Sequence, residues 1–168
     1  LPVDAVTRNN LMEWQEAMAS WNPKTLKVVP ILAPLEAWPK DPCEPGALTA
    51  FSGGVDSNFT VWRHCQRQES PKFRTTSLRA GLMIHGFDIP LSQEGVFESA
   101  WQRSCAMLEA SGLQAFRMAT NLRSMDRLPG CDWGNNTHGI WIAAALSCYE
   151  PWCGQMLIPS TYTYPMLS

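Results

Sequence analysis

The residues whose types and spacing best suit chemistry are Ser52-Gly53-Gly54-Val55-Asp56-Ser57, directly after the apolar run Ala47 to Phe51. Two adjacent glycines let the backbone come close to an anion and turn its amides toward it, because no Cβ stands in the way. A helix starting at Val55 or Asp56 adds unpaired N–H groups and a positive dipole end, worth about 0.3–1 kcal/mol per charge. Ser52 and Ser57 add hydroxyl donors. The pattern predicts a phosphate-binding loop; the plainer alternative is a tight Ser-Gly-Gly turn with Asp56 capping a helix. No lysine lies in the loop to clamp β and γ phosphates, so it lacks the spacing of a Gly-x-x-x-x-Gly-Lys loop.

At its five fixed positions, Ser52, Gly53, Gly54, Asp56 and Ser57, the segment resembles the Ser-Gly-Gly-x-Asp-Ser signature of the PP-loop ATP pyrophosphatases. At ordinary frequencies of roughly 7% each, five specified residues recur by chance about once per million starting points. The resemblance implies an adenine-nucleotide alpha-hydrolase-like (HUP-type) sheet, with the pyrophosphate part of ATP held by residues 52 to 57. It further implies that Asp56 assists Mg2+ and that the adenine packs near the first two strands, at Phe51 and Met83. For those two an ordinary core role is the alternative, since apolar strand residues are usually core.

The elements that must position this loop are legible in the pattern around it. Ala47 to Phe51 reads as the first strand, and Val55, Phe59 and Trp62 at helical spacing predict a helix to about Gln68. After a polar connection from Ser70 to Arg79, Ala80 to His85 reads as a strand buried on both faces. Val96, Phe97, Ala100, Trp101, Cys105 and Leu108 mark a helix closed by Gly112. Ala115 to Ala119 is a third strand, Ile140 to Cys148 a helix capped by Asn136 or Thr137, and Gln155 to Ile158 a last strand. Alternation of this kind builds a Rossmann-like α/β domain, a parallel sheet with helices on both faces. Ahead of it, Leu11, Trp14, Met18 and Trp21 predict a docking helix from near Thr7. Pro30, Pro34, Pro39, Pro42 and Pro45 predict an extended connector. The expected division is therefore 1–46, helix and connector, and 47–168, the nucleotide-binding domain. The tail around Tyr162 and Tyr164 is unassigned.

In an open parallel sheet, ligands bind beyond the carboxyl ends of the strands. His85 and Asp88 follow the second strand, where they would touch substrate or serve a turn. Asn121 and Arg123 follow the third; the guanidinium would reach phosphate or carboxylate with paired hydrogen bonds, or remain a solvated charge. His138, with Gly139, opens the later helix, where it would contact substrate or cap and pack.

Composition narrows the class of function. The chain has 168 residues, 45% hydrophobic and 17% charged, which fits one globular core. A net charge of -2 gives no overall field to gather nucleic acid, and the eight tryptophans lack interleaved basic clusters and fit helix cores better. No apolar run is long enough for a membrane span and no signal core follows the N-terminus, so a cytoplasmic location is expected. Six cysteines without Cys-x-x-Cys spacing are expected to be free thiols. The start at Leu1 without an initiator methionine and the abrupt stop after Ser168 fit a piece of something longer, with a companion domain or a homo-oligomer as partner. The resulting expectation is a probable-ligase reading: an Mg-ATP-binding domain that adenylates a small-molecule substrate and releases pyrophosphate, with Asp56 and Arg123 in the catalytic roles. The alternatives are a noncatalytic adenine-nucleotide-binding module and, as a minority reading, a tRNA-modifying enzyme.

Overall fold

The computed structural model describes residues 2–36, 45–66 and 74–159. Helix α1 (Ala5–Trp21) precedes an alternation of β1 (Ala47–Ala50), α2 (Val55–Gln66), β2 (Leu78–His85), α3 (Glu94–Ala110), β3 (Gln114–Ala119), α4 (His138–Ser147) and β4 (Gln155–Leu157). The strands form one four-stranded parallel sheet in the order β3-β2-β1-β4. The chain thus steps outward from β1 to β3 and then returns to the other edge of β1. Val61 of α2 and Leu108 of α3 pack on the same face of β1, and the right-handed rule for parallel crossovers places α4, after the reversal, over the other.

Side-chain burial follows from that arrangement. Ala47 and Phe51, on one face of β1, cluster with Val61 of α2, Leu108 of α3, Leu78 and Leu113. Leu48, on the opposite face, is fully buried, and α4 packs against β1 and β4. This is the Rossmann-like α/β architecture expected from the alternation. Helix α3 closes as Gly112 suggested: the amides of Gly112 and Leu113 donate to the carbonyls of Glu109 and Leu108, each at 2.9 Å.

Several local expectations are corrected. The Val55–Phe59–Trp62 line of α2 does not face the core; these residues are 85%, 53% and 41% exposed, while Ser57 and Val61 are buried. The cause is the loop before the helix. Ser57 must turn inward for its hydroxyl to donate to the Gly54 carbonyl at 2.9 Å, and the helical period then carries Val61 and the half-buried Cys65 onto the inner line. The turn before α4 is capped by neither Asn136 nor Thr137. Asp132 takes that role: its Oδ1 accepts the Asn135 amide at 2.8 Å and its carbonyl accepts those of Asn136 and Thr137 across a π-helical turn, Trp133–Thr137. Among the described tryptophans only Trp141 is buried, so the expectation of tryptophans in helix cores fails for most. The described cysteines are free thiols, Cys153 buried and Cys148 exposed.

One core was expected, but the described residues divide into two compact units, and Met125–Thr137 belongs with the N-terminal segment, not with the sheet. In that smaller unit α1 opens at Ala5, ahead of Thr7, because the Asp4 carboxylate accepts the Val6 and Thr7 amides at 2.9 and 3.0 Å. No residue of α1 is buried. Its partly covered line is Leu11, Gln15 and Met18, with Trp14 and Trp21 outside it, and Gln15 Oε1 accepts the Val29 amide at 2.9 Å. The connector runs back past the chain start, where the Val3 amide donates to Pro34 at 3.0 Å and the Glu36 amide to Val3 at 3.1 Å. Trp38, Pro39, Pro42, Cys43, Gln68, the first part of the 70–79 connection, Tyr162 and Tyr164 lie outside the described residues. No helix among the described residues is long and apolar enough to cross a membrane.

Two consequences for stability follow. Gly86 has φ +103, and a Cβ there would meet the Thr120 carbonyl oxygen at 1.9 Å, so Gly86→Ala should cost about 2–3 kcal/mol in urea unfolding. An unchanged midpoint would refute that packing. His64 Nδ1 accepts the Thr76 amide at 3.0 Å, and burial, then the Arg63 charge, lower its pKa below the ordinary 6.5. The fold uses the neutral ring, so this stabilisation is complete above the ordinary histidine value and is lost as pH falls through the lowered one. Urea midpoints should therefore fall from pH 7 toward pH 5, and less steeply in His64→Gln.

Candidate functional site

Residues 51–57 leave the carboxyl end of β1 and turn directly into α2. Phe51 still belongs to the sheet: its amide donates to Leu82 at 2.8 Å and its side chain is 2% exposed. Beyond it the chain bends at Gly53, whose φ is +77. A side chain would be strained at that angle, and a Cβ would also meet Ser104 Oγ at 3.1 Å.

The loop's carbonyls are drawn inward by the first turn of α2. Gly54 O accepts from Ser57 Oγ at 2.9 Å, from Asn58 Nδ2 at 2.9 Å and from the Asn58 amide at 3.0 Å, and Gly53 O accepts from Asn58 Nδ2 at 2.9 Å. The amides of Val55, Asp56 and Ser57 precede the first helical hydrogen bond, so they are the helix's own unpaired donors. Ser52 is exposed, and its Oγ accepts the Gly54 amide at a long 3.3 Å. A strand end, a left-handed glycine and a helix N-terminus with carbonyls turned away form a surface suited to an anion.

Its position in the sheet adds to this. Strand order reverses at β1, between β1 and β4, and in open parallel sheets such a reversal opens a crevice beyond the strand ends. The loop lies at that switch point. Asp56 is exposed in the first turn of α2. No cluster of three or more metal-ligating side chains occurs among the described residues.

The other sequence-predicted residues fall elsewhere along the same edge of the sheet. Met83 lies inside β2 and is 5% exposed. His85 is 8% exposed, with Nε2 3.0 Å from the Pro90 carbonyl and its ring stacked on Phe97 at 4.2 Å. That nitrogen is engaged inside the turn after β2. Arg123 Nη1 donates to the Phe87 carbonyl at 2.7 Å, tying the exit of β3 to the exit of β2. Asp88 and Asn121 are exposed at those two exits, and His138 is the half-buried first residue of α4. The structure thus brings residues 52–57 together and sets His85 and Arg123 to work in a neighbouring clamp.

Sequence reasoning missed two contributors. Asn58 lies next to the motif, and an asparagine in the first helical turn is a known partner for nearby carbonyls; its adjacency was the available signal. Ser104 comes from α3, and nothing in its local sequence points to the loop.

In comparisons with known proteins no family model matches the chain, and neither does any curated protein or solved structure. The geometry of the loop is accordingly the ground for a functional reading.

The two glycines differ in their demands. Gly53→Ala should lower stability by about 1–3 kcal/mol through its positive φ. At Gly54 φ is not positive, and a Cβ would meet only Ser52 Oγ, at 3.3 Å, so Gly54→Ala should cost under about 1 kcal/mol. Chemical unfolding of the two variants beside the parent checks the order; equal losses would mean that the loop is shaped differently.

Proposed function

We propose that this chain binds Mg-ATP at residues 52–57 and adenylates a small-molecule substrate with release of pyrophosphate, in the manner of the PP-loop ATP pyrophosphatases that its motif resembles. The observation that carries the reading is the Ser-Gly-Gly-x-Asp-Ser loop between β1 and α2 at the point of strand-order reversal. In this reaction a substrate oxygen attacks the α phosphorus, the bond from that phosphorus to the bridging oxygen breaks, and pyrophosphate leaves. The loop's contribution is electrostatic, because amides aimed in advance favour charge building on the leaving group. Asp56 stands at the positive end of α2, where an approaching polyphosphate would meet its negative charge. A divalent cation between the two relieves that repulsion, which makes binding depend on magnesium. No protein nucleophile is needed.

A second reading has its own support. His85 and Arg123, the residues expected to complete a second half-site, are bonded to Pro90 and Phe87 within the fold. A noncatalytic adenine-nucleotide-binding module would need only the loop.

Product analysis separates the two. With Mg-ATP, an acceptor drawn from carboxylates and amides, and water or ammonia as the nucleophile that attacks the adenylated carbon and displaces AMP, the catalytic reading expects AMP and pyrophosphate in equal amounts, and Asp56→Asn should lower turnover about tenfold or more while changing ATP affinity far less. ADP without AMP would overturn adenylation. Calorimetric ATP binding without any turnover would favour the module.

A further inference from the structure

Serines inside helices usually return their hydroxyl to the backbone, donating to the carbonyl four residues earlier. Ser99, Ser111 and Ser147 do so, at 3.0, 3.1 and 2.9 Å. Ser104 of α3 is 2% exposed and makes no hydrogen bond among the described residues. Its Oγ instead lies under the glycine loop, 3.1 Å from where a Gly53 Cβ would stand. A hydroxyl without a protein partner contributes no hydrogen bond to the fold, and an alanine would fill nearly the same space. Packing alone gives no reason for the oxygen.

We propose that Ser104 is a ligand-binding residue of the loop site, its hydroxyl donating to an oxygen of the phosphate group held by the glycine loop. This rests on the reading of residues 52–57 as a phosphate-binding loop and adds to it a residue from a different helix. The chemistry of the neighbours supports the assignment. Ser57 has already committed its hydrogen to the Gly54 carbonyl, whereas Ser52 Oγ acts as acceptor toward Gly54 and keeps its own hydrogen. Ser52 and Ser104 are then the loop-side hydroxyls with a hydrogen for an anion. The absent side chain at Gly53 has a second purpose, since a Cβ there would press on the Ser104 oxygen.

The test uses the full chain with Mg-ATP and Mg-pyrophosphate as probes, in titration calorimetry and thermal melts. Ser104→Ala should melt at or above the parent's temperature without ligand, because the hydroxyl removed has no partner in the fold. It should bind both probes about tenfold more weakly, as loss of one hydrogen bond to a charged group predicts. Ser99→Ala, on the same helix, should keep the parent's affinity. Equal affinity in Ser104→Ala and the parent would overturn the proposal while leaving the loop reading intact. A lower melting temperature of unliganded Ser104→Ala would assign the hydroxyl to the fold and also overturn it. Failure of the parent itself to bind either probe would remove the loop reading, and this proposal with it.

Discussion

Strand β1 has four residues, yet it is hydrogen-bonded along both edges, to β2 and to β4, and its Ala47, Leu48 and Thr49 are fully buried. Its pairing with β2 shifts register between Ala47 and Leu48 and then runs regularly to Ala50 opposite Leu82, and a further slip of one residue would exchange every side chain between faces. The end of β1 is therefore held from both edges. Phe51 extends the restraint one residue further through its bond to Leu82 and its place in the core cluster. The glycine loop begins directly beyond it and inherits that rigidity.

The same rigidity sets the orientation of α2. Ser57 and Asn58 bond back to the loop carbonyls, which fixes the helix's rotation before its apolar residues have any say. A large aromatic line then stands partly outside, with Phe59 and Trp62 in ring contact at 5.7 Å, while the small Ser57 and the branched Val61 face the sheet. Loop geometry outweighs hydrophobic amphipathicity in this helix. A few directed bonds at a helix start can do this, since side-chain hydrophobic energy is non-directional.

The neighbouring strand ends are held by different means. Gly86, φ +103, lets the turn after β2 pass close to the Thr120 carbonyl, and the Thr120 amide donates to His85 at 2.9 Å. Arg123 closes the arrangement from the β3 side through Phe87. Histidine and arginine at strand exits are attractive as substrate ligands when seen in a sequence. Here their polar atoms satisfy backbone carbonyls that the turns would otherwise leave bare, a demand that buried polar groups must meet before any ligand is present.

The sequence by itself determined the α/β alternation, most strand positions to within a few residues, and the loop at 52–57, because these depend on local properties: apolar runs, helical spacing, and glycines where a backbone must turn. It also contained the stop at Gly112. Only the tertiary structure decided the order β3-β2-β1-β4, the grouping of Met125–Thr137 with the N-terminal segment, and which face of α2 is buried. The roles of His85, Arg123 and Ser104 were likewise out of reach. Each depends on an atom remote in sequence or on the path of a turn, and residue type alone does not say which carbonyl or glycine will be within 3 Å or so of a side chain once the strands have paired.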